Sequence, residues 1–572
     1  MKERKTKKEL FTGLAVLFIY TAALTFVVCF HELWFDETQA WLIAKSASYK
    51  EILTYIPHYE GHPPLWHLIL SVFAKNGAPV DITLKTLNIF FSTLAMALLI
   101  FRSPFPKIVR YLLPFTYYFF YQYGIMSRPY SLTMIAVFLA AITYNERNKK
   151  PWRYIISLIL LCLTTAYGII LAGGLCIVWT AEIIAELIKN KKLAMFWKDK
   201  RFYPLLFILI LAITLIFTIM PADDCFYGGI DNDSFLNSIK SIKSVYFIVL
   251  PFESWSGMLI GISGIKNIPA LIAGELIIGI AFWTVLLAFT AKNKKLFTFV
   301  IPYGLLCGFM SFWYCSVHHF GISALFHVFI FWIMAEKEII IPNIFVKIKE
   351  KITSPFIKKI TVGAVWGICL VPVIYSGIAS VNDITQNVGL SCLADTIKDN
   401  HLDDKKIMVR WKYIEDDTYN GGDNMSSTFS NLMQLLQIPS DHAPIKENRT
   451  YLCGDAAMIL PYFDRNIFMN FNVDRPTDLY MHYKYKEDSE AVFEKVREKG
   501  LPDFIIGYCP IDEIYDPETL EGVKYLPIQL AEENTFYKAD VRTAYERLYM
   551  REDLFDEYPQ FKWIDDQKDN HY

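Results

Sequence analysis

The chain has 572 residues, 53% of them hydrophobic and 16% aromatic, with a mean hydropathy of +0.28 and a formal net charge of −2. That is too apolar for an ordinary soluble protein and excludes a disordered one. The small charge is a cancellation: residues 381–572 hold 37 acids and 21 bases, net −16, leaving 21 of the 58 acids and 35 of the 56 bases, net +14, in residues 1–380.

Residues 1–380 read as a multi-spanning transmembrane domain. Apolar runs lie near 10–30, 82–101, 108–124, 129–144, 153–168, 169–188, 203–220, 268–290, 296–314, 321–336 and 360–378, about 11 transmembrane helices in all. Each is roughly 17–23 residues, enough to cross about 30 Å of hydrocarbon at 1.5 Å per residue. A soluble helix is amphipathic, whereas Leu205–Met220 and Leu276–Phe289 are apolar on nearly every face. The first run is longer than a signal-peptide core and no A-x-A-like site follows it, so it reads as a retained span.

Every second connection is basic: the N-terminal Met1–Lys8, then Arg102 to Arg110, Arg147 to Arg153, Lys189–Arg201, Lys292–Lys295 and Lys337–Lys359. By the positive-inside rule these are cytoplasmic. The external connections are then 31–81, 125–128, a tight turn near Tyr167–Gly168, 221–267, 315–320 and everything after Ser380. The expected localisation is a cell membrane, multi-pass, with the N-terminus cytoplasmic and the C-terminal domain extracytoplasmic.

Residues 381–572 read as a soluble extracytoplasmic α/β domain. Strand-like runs at Ile407–Trp411, Tyr451–Cys453, Ile467–Phe471 and Phe504–Tyr508 alternate with helical patterns at Ser489–Lys499 and Arg542–Tyr549. Ten cysteines show no zinc spacing and read as unpaired thiols. No GxGxxG, P-loop or basic patch in the tail points to a nucleotide or nucleic acid.

The chemistry concentrates in the first external loop, 31–81. It opens His31-Glu-Leu-Trp34-Phe35-Asp36-Glu37-Thr-Gln-Ala-Trp41, an acidic pair among interfacial aromatics. A carboxylate at such a boundary can act as general base for a hydroxyl acceptor; alternatively, Asp36 N-caps a helix over Glu37–Ser46. The loop continues with His58, Tyr59, Glu60, Gly61, His62, Pro63, Pro64, Leu65, Trp66 and His67, a rigid turn leading into a short interfacial helix over Leu65–Phe73. Arg128 begins a span on the external side, where a guanidinium can clamp a phosphate or snorkel to headgroups. His318 and His319 sit at another external edge and can donate to phosphate or sugar, or pack beside Trp313 and Tyr314. In the 221–267 loop, Asp223, Asp224, Asp231 and Asp233 form an acidic, solvated stretch, and Glu275 lies early in a span.

Three of these motifs carry a resemblance. Phe35-Asp36-Glu37, Gly61-His62-Pro63-Pro64-Leu65 and Ser127-Arg128-Pro129-Tyr130 together resemble the GT-C glycosyltransferases, in the family 39-like branch of protein O-mannosyltransferases and aminoarabinose transferases. The match covers roughly residues 10–220, and the later spans only by architecture. The resemblance implies a GT-C type membrane enzyme that takes a sugar from a polyprenyl-phosphate donor and passes it to a glycan, lipid or protein acceptor on the outer face. It makes Asp36 the catalytic base and Glu37 its partner, orienting it or helping to hold a divalent cation, Mg or Mn. Glu60, His62, Arg128, Tyr130, His318 and His319 are the candidate substrate-binding residues. The rival expectation is a transporter or flippase of lipid-linked glycans.

Overall fold

The structure, a computed structural model, describes residues 7–562 apart from 223–224, 226–242, 257–268, 313–316, 344, 347–353, 386–389, 410–411, 415–449, 453, 472–477, 482–497, 508–521 and 529–546. The chain is mostly helical, with a small C-terminal sheet. Four helices, Lys7–Phe30 (α1), Val80–Arg102, Ala166–Lys189 and Phe202–Ile219, are long and apolar enough to cross a membrane. Their outer faces carry bare apolar side chains, with Phe18 74% and Phe217 65% exposed. Such faces are costly in water and natural in hydrocarbon. The remaining apolar helices include Tyr130–Tyr144, Pro151–Cys162, Leu296–Phe312 and Phe320–Ala335.

Two of the expected spans differ in shape. The turn between the fifth and sixth runs falls at 163–165, before Tyr167–Gly168, because Thr165 caps the helix Ala166–Lys189 by accepting from the Gly168 N–H at 3.0 Å. The run near 108–124 is not one helix. It breaks into Lys107–Leu112, a 3₁₀ turn at Leu113–Phe115 containing Pro114, and a π-helix at Tyr118–Ile125. Proline removes a donor and the wide turns leave carbonyls without helical partners. Neighbouring helices supply them: Asn88 Nδ2 donates to the Gly124 and Met126 carbonyls at 2.7 and 2.9 Å, and the Tyr20 hydroxyl to Phe119 O at 3.1 Å.

The 221–267 connection is not wholly a solvated loop. Lys243–Ser256 forms a helix packed on Pro269–Lys292, Leu296–Phe312 and Phe320–Ala335, with Leu250 buried. Asp223, Asp224, Asp231 and Asp233 lie outside the described residues, as do Trp313 and Tyr314.

The tail builds a four-stranded sheet in the order β1 (Ile407–Val409), β4 (Phe504–Gly507), β6 (Arg547–Arg551), β5 (Tyr525–Ile528). β1 and β4 run parallel, with Ile407 beside Phe504, and the other pairs are antiparallel. A separate antiparallel pair joins β2 (Lys412–Ile414) to β3 (Thr450–Leu452). The helical pattern expected at Arg542–Tyr549 is replaced by strand from Arg547 onward, since β4 and β5 both need a partner there and pairing overrides local propensity. Ile467–Phe471 contributes a single bridge, Ile407 to Phe468, and no strand. Ser489–Lys499 lies largely outside the described residues.

The boundary expected at 380 falls inside a helix, Pro355–Thr385. The core under the tail is also shared. Leu42, Ile43, Ala47, Ile52 and Ile56 of the first loop pack in one cluster with Leu393, Ile407, Ala457, Phe504 and Leu548. The first loop thus contributes six buried residues, counting Tyr59, to the tail's hydrophobic core, and this seats the tail against the helix that carries the acidic pair.

Candidate functional site

α1 ends at Phe30, and a short extended stretch leads into the helix Phe35–Ser46 (α2). The cap of α2 comes from Glu37, not Asp36: Glu37 Oε2 accepts from the Trp34 N–H at 2.8 Å. The same oxygen lies 3.0 Å from His31 Nε2, and Oε1 accepts from the Ser127 N–H at 2.5 Å. Glu37 is fully buried. Burial opposes its charge, but His31 and the donors from Trp34 and Ser127 outweigh that and hold the carboxyl below its usual range. His31 Nδ1 in turn lies 3.0 Å from Asp383 Oδ2, at the end of Pro355–Thr385. Burial disfavours the imidazolium, yet Glu37 and Asp383 override it and raise the His31 pKa.

Glu37 therefore ties down two backbones at once. Through Trp34 it fixes the start of α2, which carries Asp36. Through Ser127 it fixes the residue before Arg128. These two tethered neighbours meet: Arg128 Nη1 donates to Asp36 Oδ2 across 92 residues of chain. The guanidinium lies 5.5 Å over the Tyr130 ring, which stacks on Tyr123 at 4.7 Å.

The other candidates surround this pair. Gln39, one turn along α2, donates through Nε2 to Glu60 Oε1 at 3.0 Å. Glu60 feels Asp36 and Arg128 electrostatically, and its pKa is pushed up to about 7 mainly by burial, with Asp36 adding and Gln39 and Arg128 opposing. The four-residue helix Pro57–Glu60 ends at Gly61, whose φ of 65° is the left-handed turn that throws His62 back toward the site. His62 is lowered to about 3 by burial, then by Arg128 and His67; His67 is lowered to about 4 by burial and Arg128. His318 and His319 are held well below the usual range by burial, with Arg128 and His62 contributing to both. The two rings are 4.0 Å apart, and Tyr130 lies 6.0 and 6.2 Å from them.

All eight sequence-predicted residues therefore gather in one place. His58 does not join them; its Nδ1 contacts the Met220 carbonyl at 2.7 Å. Trp41, expected at the interface, is 2% exposed and belongs to the core. Sequence reasoning missed His31, Gln39, His67 and Asp383. Gln39 follows Asp36 by three residues and so shares its helix face, a signal that was readable. Asp383 carries none, lying 352 residues from its partner His31.

The acidic pair does not offer a ligand set for a cation in this arrangement. Glu37 spends both oxygens on His31, Trp34 and Ser127, and Asp36 faces a guanidinium. No group of three or more His, Cys, Asp or Glu side chains suited to a metal occurs among the described residues.

Chemically, the site is the Asp36–Arg128 pair, backed by the charged Glu37–His31–Asp383 chain and walled by tyrosines and by the His62, His67, His318 and His319 imidazoles that burial keeps neutral. A neutral imidazole can donate from one nitrogen and accept at the other. Arg128 and these rings suit an anion with several oxygens, and Asp36, partly exposed, suits a proton leaving a hydroxyl. No family model, curated protein or solved structure matches the chain.

Proposed function

We propose that this chain is an integral membrane glycosyltransferase of the GT-C type, moving a sugar from a polyprenyl-phosphate donor to an acceptor on the outer face of the membrane. One observation carries the reading: Asp36 and Arg128, from distant segments, are brought together where Glu60, His62, His318 and His319 converge. In this reading the chain crosses the membrane about 11 times, with its N-terminus in the cytoplasm and residues after 385 outside.

The reaction forms a bond between the acceptor oxygen and the sugar C1 and breaks the bond from C1 to the phosphate oxygen. The acceptor proton goes to Asp36. The electron pair leaves with the phosphate, where Arg128 stabilises the developing charge. Glu60 and the imidazoles orient sugar and phosphate oxygens, and Tyr130 holds the guanidinium in place. No step is routed through a metal.

The test is sugar transfer in membranes carrying Asp36→Asn. Loss of a general base should cost about 10²–10⁴-fold in turnover. Unchanged turnover would overturn the assignment of Asp36. Build-up of unmodified lipid-linked sugar on the inner leaflet of a deletion strain would point instead to a flippase.

A further inference from the structure

We propose that Arg128 is a shared counter-ion: in the resting protein it neutralises Asp36, and a polyprenyl-phosphate head group competes with Asp36 for it, so that donor binding is what releases the base. The inference rests on the glycosyltransferase reading and assigns to it an order, donor before acceptor.

Three features lead there. First, the two partners differ in freedom. The Arg128 side chain is 11% exposed and lies over Tyr130, and its backbone follows the Ser127 N–H that Glu37 holds. The Asp36 side chain is 30% exposed. The guanidinium stays and the carboxylate can yield. Second, the imidazoles nearest Arg128 are neutral, so they cannot take over its role as the positive partner of an incoming anion. A phosphate and the Asp36 carboxylate must therefore divide one cation between them. Third, the site holds a polar atom waiting for a partner. His62 Nδ1 is buried and has no hydrogen bond among the described residues. A phosphate oxygen on Arg128 would satisfy it.

The chemical consequence is direct. A carboxylate engaged by a guanidinium has that cation's N–H donors on its oxygens, where an acceptor hydroxyl would otherwise sit. Phosphate binding would thus free the oxygens that must take the acceptor proton, when the leaving group is already in place. Before that, the pair keeps the base quiet.

The experiment is equilibrium binding of undecaprenyl phosphate, and of neutral undecaprenol, to the purified full chain in nanodiscs. Asp36→Asn removes the competitor and should bind undecaprenyl phosphate about fivefold more tightly than the unaltered protein, the low end of coupling between charged sites. Its affinity for undecaprenol should not change. Arg128→Ala should weaken phosphate binding about thirtyfold or more. Asp36→Ala and a thermal melt of each variant guard against a folding defect. Equal or weaker phosphate binding by both Asp36 variants, with the unaltered protein binding well, overturns the competition and leaves the glycosyltransferase reading standing. Failure of the unaltered protein to distinguish undecaprenyl phosphate from undecaprenol overturns both.

Discussion

Glu37 shows what a single buried side chain can organise. Its three partners set the cap of α2, the turn before Arg128 and, through His31, the end of the last long helix. The sign of its pH dependence follows from the two shifts. His31 is raised above its ordinary 6.5, so its contribution is complete below pH 6.5 and fades as the pH rises through the raised pKa. Glu37 is lowered below its ordinary 4.5, so its contribution is complete above pH 4.5 and is lost as the pH falls through the lowered pKa. The pair stabilises most between pH 4.5 and 6.5. Glu37→Gln should cost about 3–5 kcal/mol in that window, because it leaves a buried imidazolium short of a partner. The gap should shrink at alkaline pH, where His31 is neutral in either protein. Thermal unfolding in detergent at pH 6 and well above it reads the difference, and an equal gap at both would contradict the ion pair. Asp36 and Arg128 were legible in the sequence because acidic and basic residues at apolar boundaries stand out. The Glu37–His31–Asp383 chain was not, because an adjacent acid looks like a second catalyst until its hydrogen bonds are seen.

Elements that the sequence placed well are those whose apolar length alone decides them, such as α1 and Phe202–Ile219. The break of the 108–124 run was hidden, since its carbonyls are satisfied by Asn88, Ser92 and Tyr20 on other helices. Likewise the strand from Arg547 depends on β4 and β5, which no local pattern reveals. Helix contact shows the same dependence on neighbours. Gly174 on Ala166–Lys189 faces Pro302 on Leu296–Phe312 so closely that an added Cβ would sit 2.5 Å from Pro302 Cα, whereas a Cβ at Gly173 meets nothing within 4 Å. Gly174→Ala should therefore destabilise the protein by about 1–3 kcal/mol through overpacking. Gly173→Ala should be neutral or slightly stabilising, since alanine favours helix. Melting temperatures of the two variants, measured side by side, test the crossing; equal values would place the helices farther apart than described.

At the scale of the molecule, the −2 net charge now divides along a physical line. The basic connections carry paired arginines, as in Arg147 with Glu182 and Arg201 with Asp199 and Glu186, while the acidic tail rests on the first loop. Among the contacts that join the two halves, which include Lys45 to Asp464 and the shared core, one amide makes two backbone hydrogen bonds. Gln39 donates to Met481 O at 2.8 Å and accepts from Met481 N at 2.9 Å, while also holding Glu60. Gln39→Leu should strip both bonds from the Met481 backbone, at about 1–3 kcal/mol. Hydrogen exchange should quicken at Met481 and leave β4 protected; unchanged protection at Met481 would mean that the tail is held without Gln39.

That clasp also imposes a timetable. Gln39 and Met481 are 442 residues apart, and Leu42, Ile43, Ala47, Ile52 and Ile56 share their core mostly with residues beyond 385. At synthesis rates of about 5–20 residues per second, the first loop stands bare for some tens of seconds after it emerges. Its exposed apolar face is an invitation to chaperones and proteases until the last strands arrive. A truncated chain would carry that face permanently, so the cell could recognise an unfinished copy before it ever bound a substrate.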